Sequence, residues 1–423
     1  MRLPALLPPA AAFLLAVSGQ AAVLGTNSAA IPLSATRVAG LPEWKAYLER
    51  SERLRDEDRR AFRRELERAG LNAPTFPGHG RNAGTIDLKK PRQWYGGPEA
   101  RRIAGIIVSY QTPAGGWCKN TDFTLEPRRP GEFYGARDSK DPAKPSRAPS
   151  ADPGWAYVGT FDNDATTTQL RFLALVLNAS PQRDRAVEES FLKGVGYVLA
   201  AQYPNGGWPQ VWPLQGGYHD AVTFNDGAMQ HLVEFVREVA EGNAAFVPGD
   251  LRDKAAASWK RGLDCILKCQ VRSGGVPTVW CQQYDPLTLS PCPARRFEMT
   301  ALSSAESASL VLFLMSLPDP DPGVVRAVGD AVRWFRATAI TGKEFQSGPG
   351  GRVLRDVPGA PPLWARFYSL ETGRPVFGDR DRSIHDDVSE ISPERRNGYA
   401  WFVTKPRKVL EQYPLWAAVH PGR

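Results

Sequence analysis

Hydrophobic positions along this chain fall mostly at helical spacing. Trp44, Tyr47, Leu48, Leu54, Phe62 and Leu66 recur among charged neighbours, so residues 43–69 read as one or two surface helices stopped at Gly70. The same period marks helices over residues 99–110, 166–177, 183–201, 227–241, 251–270, 305–316 and 324–339, with a short last one near 408–412. Asp162 or Asp164 stands where the cap of the 166–177 helix is expected. Residues 71–97 are turn-rich, and residues 125–159 form a Pro-, Arg-, Ser- and Gly-rich surface excursion. From Ser347 onward the pattern turns to loops and short strands, while alternating runs are few throughout. The expectation is a mainly α fold with a few short strands.

An internal repeat sharpens that expectation. Gln111, Gln202 and Gln270 each stand four residues before a Gly-Gly pair at the end of a helical stretch, and two copies continue into Trp117 and Trp208. Glycine supplies the left-handed turn expected where a helix stops, so one supersecondary unit is used three times. Helical hairpins repeated at intervals of 68 and 91 residues suggest an incomplete α/α barrel, or α/α toroid, whose long rim loops build a site. One long loop, residues 203–226, reads as exposed and carries turn residues, aromatics, His219 and acidic side chains. Loops of that length in compact domains are usually functional or disordered, and this one has too many aromatics to be disordered; the alternative is a long connection whose tryptophans pack on the core.

The N-terminus reads differently. Arg2, an apolar run over residues 10–17 and small residues at 19–22 have the order of a secretory signal peptide, taken as residues 1–22. Residues 23–40 then form a flexible lead-in, and residues 41–423 a single catalytic domain. The expected product is secreted, to the periplasm or the exterior. No other segment approaches the about 20 apolar residues needed to span a bilayer, so no membrane partner is expected.

A net charge of +8 suits an acidic partner, and export favours an extracellular polyanion over nucleic acid. Cys118, Cys265, Cys269, Cys281 and Cys292 include no zinc-type spacing, although Cys281 and Cys292 flank a turn that a bridge could close. Among acids, Asp162-Asn163-Asp164 and Asn225-Asp226 open two helices and offer oxygen ligands suited to calcium. Among bases, Arg295, Arg296, Arg366, Arg380 and Arg382 lie in turn-rich aromatic segments, where planar carboxylates are gripped bidentately. His219 and His385 lack a zinc-hydrolase partner, and neither a serine-hydrolase elbow nor a phosphate-binding glycine motif is present.

These blocks together resemble family 10 pectate lyases. The match rests on GGWCKN (115–120), DNDATTTQ (162–169), YPNGGWPQ (203–210), TFND (223–226), PARRFE (293–298), WARFY (364–368), FGDRD (377–381) and ISPERRNGYAWF (391–402), in the family's order. The resemblance covers residues 40–405 and implies an α/α toroid that cleaves polygalacturonate by calcium-assisted β-elimination, acting as a monomer. Residue by residue, it implies that Asp162 and Asp226 hold calcium and that Arg295 removes the C5 proton. It further implies that Arg366 and Arg380 bind substrate carboxylates, with Lys119 and Asn120 facing substrate. Trp208 and Trp212 are candidates for stacking on sugars. Phe297 and Ala221 depart from the family pattern and bear on subsite preference. A triterpene-cyclase-like toroid and a non-catalytic glycan-binding protein are the alternatives. The first lacks its Asp-Asp acid motif, and the presence of Arg295 speaks against the second.

Overall fold

The computed structural model describes residues 23–77, 86–135, 159–180, 182–242, 246–348 and 350–421. The expected signal peptide and residues 136–158 of the surface excursion lie outside them. The helices are α1 (Pro42–Arg68), α2 (Arg92–Tyr95), α3 (Pro98–Ser109), α4 (Thr167–Ala179), α5 (Arg185–Ala201) and α6 (Ala228–Ala240), followed by α7 (Gly249–Lys268), α8 (Ser304–Met315), α9 (Pro322–Ala337), α10 (Pro393–Gly398) and α11 (Pro406–Val419). Short strands punctuate them: β1 (Gly25–Thr26), β2 (Val222–Thr223), β3 (Arg272–Ser273), β4 (Val276–Pro277), β5 (Gln283–Tyr284) and β6 (Leu302–Ser303). The later ones are β7 (Lys343–Gly348), β8 (Gly351–Asp356), β9 (Trp364–Ala365), β10 (Phe367–Tyr368), β11 (Phe377–Gly378), β12 (Ser383–His385) and β13 (Phe402–Val403).

The hairpins α4–α5, α6–α7 and α8–α9 stand side by side. Helices α3, α5, α7 and α9 pack in succession as an outer layer, and α4, α6 and α8 in succession as an inner one, with α11 against α8 and α9. This is an incomplete α/α toroid. Burial follows the layers: α8 buries side chains all round, whereas α7 buries one face only. The inner helices all begin on one rim, so the positive ends of three helix dipoles converge there.

The repeat is deeper than its sequence signature. Each glutamine amide donates both to its own loop and to the next outer helix: Gln111 to Gly115 O and Ser190 O (both 2.9 Å), Gln202 to Gly206 O and Ser258 O (both 3.0 Å). Gln270 donates to Thr278 O (2.9 Å) and Ala327 O (3.0 Å). The tryptophans continue further still. Trp117, Trp208, Trp280 and Trp364 each donate an indole N–H to a carbonyl in or near the last turn of the preceding outer helix, at 2.7, 2.9, 2.7 and 2.9 Å. A fourth unit therefore exists, and the third has its tryptophan after all. The β3–β4 and β7–β8 hairpins displace these two tryptophans from their helices in sequence.

Several expectations are corrected. The Gly-Gly pairs do not stop the helices, which end earlier at Tyr110, Gln202 and Cys269 in ordinary conformations. Gly115 and Gly206 instead sit in tight turns at positive φ, and a Cβ at Gly206 would lie 2.1 Å from Arg261 O of α7. Gly274 and Gly275 form the tip of the β3–β4 hairpin. Residues 203–226 are not an exposed loop but are largely buried, and Trp208 and Trp212 are fully buried, so neither can stack on a sugar. All five cysteines are free thiols, so Cys281 and Cys292 are not bridged. Neither Asp162 nor Asp164 caps α4, whose N-cap is Thr166 without a side-chain bond. Residues 23–40, expected as a flexible lead-in, contribute β1 and bury Asn27, Leu33 and Val38 against the body.

Candidate active site

Left-handed backbone marks where the rim is constrained. Among the described residues, seven non-glycine residues have positive φ, and five of them (Asn120, Asn163, Asp164, Thr166 and Asp226) gather in three neighbouring loops. Such conformations cost about 1–3 kcal/mol each and persist where surrounding structure imposes them, typically at functional sites. Asp162 and Asp226 belong to two short 3₁₀ turns, 162–164 and 225–227, that pack against each other at the heads of α4 and α6. Sequence reasoning placed both acids on one rim, and the structure brings them together.

The environment of this pair is negative. Burial, reinforced by the charges of Glu306 and Asp162, pushes the Asp226 carboxyl up to about 6. Asp162 is paired with Lys119. The Asp164 carboxylate turns instead to His231 of α6, with Oδ1 2.5 Å from Nδ1. Among the described residues, no three His, Cys, Asp or Glu converge closely enough to hold a metal unaided. Beside Asp162, a cavity of about 530 Å³ opens between residues 86–89 and Lys119, Asn120, Asn163, Thr168 and Gln169.

Opposite the acids stands a row of arginines, each with its own carboxylate. Arg366 pairs with buried Glu306, and its Nη2 lies 4.0 Å from Asp226 Oδ1. Burial opposes the Arg366 charge, but Glu306 together with Tyr399, Asp226 and Glu298 outweighs it and holds the guanidinium above its usual range. Glu306 also accepts from Ser303 and from Gln282 Nε2 (3.1 Å), and Gln282 donates to Asn225 (3.0 Å) beside Asp226. Arg295 binds Glu298 through two nitrogens, Nε being 2.6 Å from Oε2. Burial again works against the charge, and Glu298 more than restores it, so Arg295 is raised above an ordinary arginine. Its side chain remains 42 % exposed and open to the rim.

Two rings hold this row together. Tyr399 donates its hydroxyl to Glu298 (2.7 Å) and lies 4.8 Å from the Arg366 guanidinium and 5.7 Å from that of Arg295. Phe297 carries Arg295, Arg380 and Arg395 at 4.9, 5.5 and 4.4 Å. Arg380 is bound by Glu394 at 2.9 and 3.0 Å, and Glu394 also accepts from Arg395. These bonds draw the Glu394 carboxyl well below its usual range.

The other candidates take no direct part in these pairs, although His219 lies near enough to Lys119, Asp162 and Arg295 to feel their charges. His219 is buried, and burial with the nearby Lys119 charge lowers it to about 4, so it is a neutral core group. His385 is buried between Ser383 and Glu390. Arg382 spends its guanidinium on Asn27 O (3.3 Å). Arg296 is exposed, and its backbone carbonyl is the group engaged.

Glu298, Glu306, Gln282, Tyr399, Glu394 and Arg395 complete the site without having been singled out from the sequence. Glu298, Glu394, Arg395 and Tyr399 lie within the PARRFE and ISPERRNGYAWF blocks, where adjacency to arginine was the available signal. Glu306 had none, because an acid in the first turn of a helix reads as a dipole complement.

Comparison with known proteins gives a consistent result. A family model described as pectic acid lyase matches residues 111–410. The solved structure of a family 10 polysaccharide lyase from Cellvibrio cellulosa superposes with a TM-score of 0.64 at 30% identity, covering 80% of this chain and 99% of that one. An Asp-to-Ala mutant of a family 10 polysaccharide lyase from the same organism, in complex with trigalacturonic acid, superposes with a TM-score of 0.63 at 30% identity, covering 79% and 99%. No curated protein sequence matches the chain.

Proposed function

The chain belongs to the pectic acid lyase family, and from that premise we propose that it cleaves polygalacturonate by calcium-assisted β-elimination. In that reaction a base takes the C5 proton, a C4–C5 double bond forms as the C4–O4 bond breaks, and O4 departs with that electron pair and picks up a proton, leaving a 4,5-unsaturated sugar at the new end. The observation that carries the reading is the apposition of Asp162 and Asp226 to Arg366 and Arg295 on one rim. The trigalacturonic acid complex of the Cellvibrio relative supports an oligogalacturonate as ligand.

The donor set fits calcium. Asp162 and Asp226 offer oxygen, the donor of hard cations, with the Asn225 amide holding the Asp226 carboxylate (2.9 Å), and the like-charge pressure on Asp226 is what a bound cation would relieve. The protein's donors alone make an incomplete site, which leaves positions for water and for a substrate carboxylate. Bound calcium would neutralise the uronate carboxylate next to C5, making that proton easier to remove. Arg366, beside Asp226, presents a second positive charge to the same carboxylate, and Arg380 one to a neighbouring sugar. Lys119, once Asp162 engages a cation, is released toward substrate, with Asn120 beside it.

Arg295 is assigned to C5. Held by Glu298, its guanidinium is charged in the state described, and arginine is among the hardest side chains to deprotonate. As a base it must first lose a proton, so the active fraction would grow about tenfold per pH unit on the alkaline side. A second role is favoured by the same Glu298 pairing: a fixed positive charge that stabilises the enediolate formed when the C5 proton leaves.

The test is ultraviolet absorbance from polygalacturonate with and without calcium, followed across alkaline pH. Absorbing products that require calcium are expected. Reducing ends without absorbance would make the enzyme a hydrolase, and binding without turnover a glycan-binding protein. A rate that climbs with pH assigns Arg295 as base, and a flat alkaline rate assigns it to the enediolate.

A further inference from the structure

The loop that carries Arg295 is held by a residue from the opposite end of the chain. Asn27 is buried, and its side-chain Nδ2 donates to three backbone carbonyls: Arg295 O at 3.2 Å, Arg296 O at 3.0 Å and Glu298 O at 3.1 Å. These carbonyls belong to a tight turn closed by Glu298 N to Arg295 O (2.8 Å) and Ala294 N to Glu298 O (3.0 Å). The turn fixes the spacing at which the Arg295 and Glu298 side chains grip each other. It has no place in a helix or strand of its own.

Asn27 is itself anchored. Its N–H donates to Arg382 O at 2.8 Å, and Leu24 N donates to Ile384 O at 2.8 Å. Strand β1 pairs antiparallel with β12, Gly25 opposite Ile384 and Thr26 opposite Ser383, and β12 pairs with β11. Strand β11 lies directly under the same turn, since a Cβ at Gly378 would come within 2.4 Å of Phe297 O. The three-stranded sheet β1–β12–β11 is thus a platform, with Asn27 as the clamp that joins the turn to it. Arg380 lies in the β11–β12 connection of that platform.

We propose that Asn27 is a positioning residue for the reaction: the strap of residues 23–27 holds the 295–298 turn so that the Arg295 guanidinium stays aimed into the rim. The inference rests on the assignment of Arg295 to C5. An amide is suited to the place because it offers two N–H groups to three convergent carbonyls. An aspartate there would set a carboxylate against the same oxygens. A small displacement of a catalytic group is expensive, about 100-fold in rate for a shift near 1 Å.

The experiment compares Asn27→Ala, Asn27→Asp and Asn27→Gln with Thr26→Ala and Arg295→Ala in the otherwise intact chain, with polygalacturonate and calcium. Asn27→Ala and Asn27→Asp are expected to lower kcat about 10- to 100-fold, while KM and the half-saturating calcium concentration stay within about twofold, since the Asp162–Asp226 side is untouched. Asn27→Gln keeps the donor and should recover part of the loss. Thr26 is an exposed strap residue, so Thr26→Ala should leave kcat unchanged. Undiminished kcat in Asn27→Ala beside an inactive Arg295→Ala overturns the proposal. So does a fall in kcat accompanied by equal changes in KM, calcium dependence and Tm, which marks general loosening. If Arg295→Ala itself keeps its kcat, the assignment of Arg295 fails and the strap's role fails with it. Should Asn27→Ala not fold, Asn27→Ser, with a shorter donor, gives the same comparison.

Discussion

Asp162 and Asp226 sit on left-handed turns at the heads of two inner helices, whereas Arg295, Arg366 and Arg380 project from strand ends and loops of the C-terminal part. The arginines are each provided with a carboxylate, Glu298, Glu306 and Glu394 respectively. Of the aspartates, Asp162 is paired with Lys119, but Asp226 is not balanced in that way: it is crowded by Glu306 and Asp162, with Arg366 only at 4.0 Å. One flank is a finished electrostatic array whose geometry is set before substrate arrives. The other is left short of positive charge, the condition for taking up a cation. Charges of the two signs thus serve by opposite routes, one by being satisfied and the other by being wanting.

The comparison breaks most sharply at Arg295. Arg295→Ala is expected to lower kcat about 1,000-fold, the scale of a lost transition-state charge. Binding of trigalacturonate, followed by calorimetry, should change little, and a loss of binding in step with kcat would make Arg295 a mere anchor. An intermediate effect is expected at Asp226. As pH falls below about 6 its carboxyl protonates, and calcium affinity should drop about tenfold per pH unit. The stability effect has the opposite sign. Folded Asp226 titrates near 6 but the unfolded group near 3.8, so the calcium-free fold binds more protons in that window and gains stability as pH falls through it. Asp226→Asn should abolish both dependences, and a calcium titration unaltered between pH 5 and pH 7 would remove Asp226 from the cation site. The smallest effect belongs to Glu394. Its pair with Arg380 is largely exposed, and a glutamine keeps an oxygen for the buried Arg395 that Glu394 also holds, so Glu394→Gln should cost about 1 kcal/mol in stability and change kcat only a few-fold. A larger loss would show that even the outermost pair belongs to the pre-set array.

The layers of the toroid were legible because each helix writes its own period, and the glutamine-glycine pattern was legible because it is local. Trp280 and Trp364 escaped because inserted hairpins move them along the chain while leaving them in the same place in space. The two acids were legible as paired helix starts. Glu306, Glu298 and Asn27 were not, since what they do depends on partners that sequence distance hides: Asn27 meets its carbonyls across about 270 positions. Trp208 and Trp212 misled for a related reason. A tryptophan amid turn residues looks alike whether it will face a sugar or fill the core, and here both indoles are fully buried, Trp208 against Gly262 of α7 and Trp212 against Tyr197. The same limit applies to residues 203–226, whose turn-rich composition concealed how deeply they are packed.

The glutamine bonds run in one direction only. Each of Gln111, Gln202 and Gln270 reaches forward to the outer helix of the unit that follows, and none reaches back. Every loop therefore leans on its successor, as the stones of an unfinished arch lean toward the side last laid. Removing the final unit would deprive its predecessor of a support, whereas removing the first would deprive no other unit of one. The ring has a grain, and the heads of α4, α6 and α8, where the acids gather, lie upstream of the end on which the rest depends.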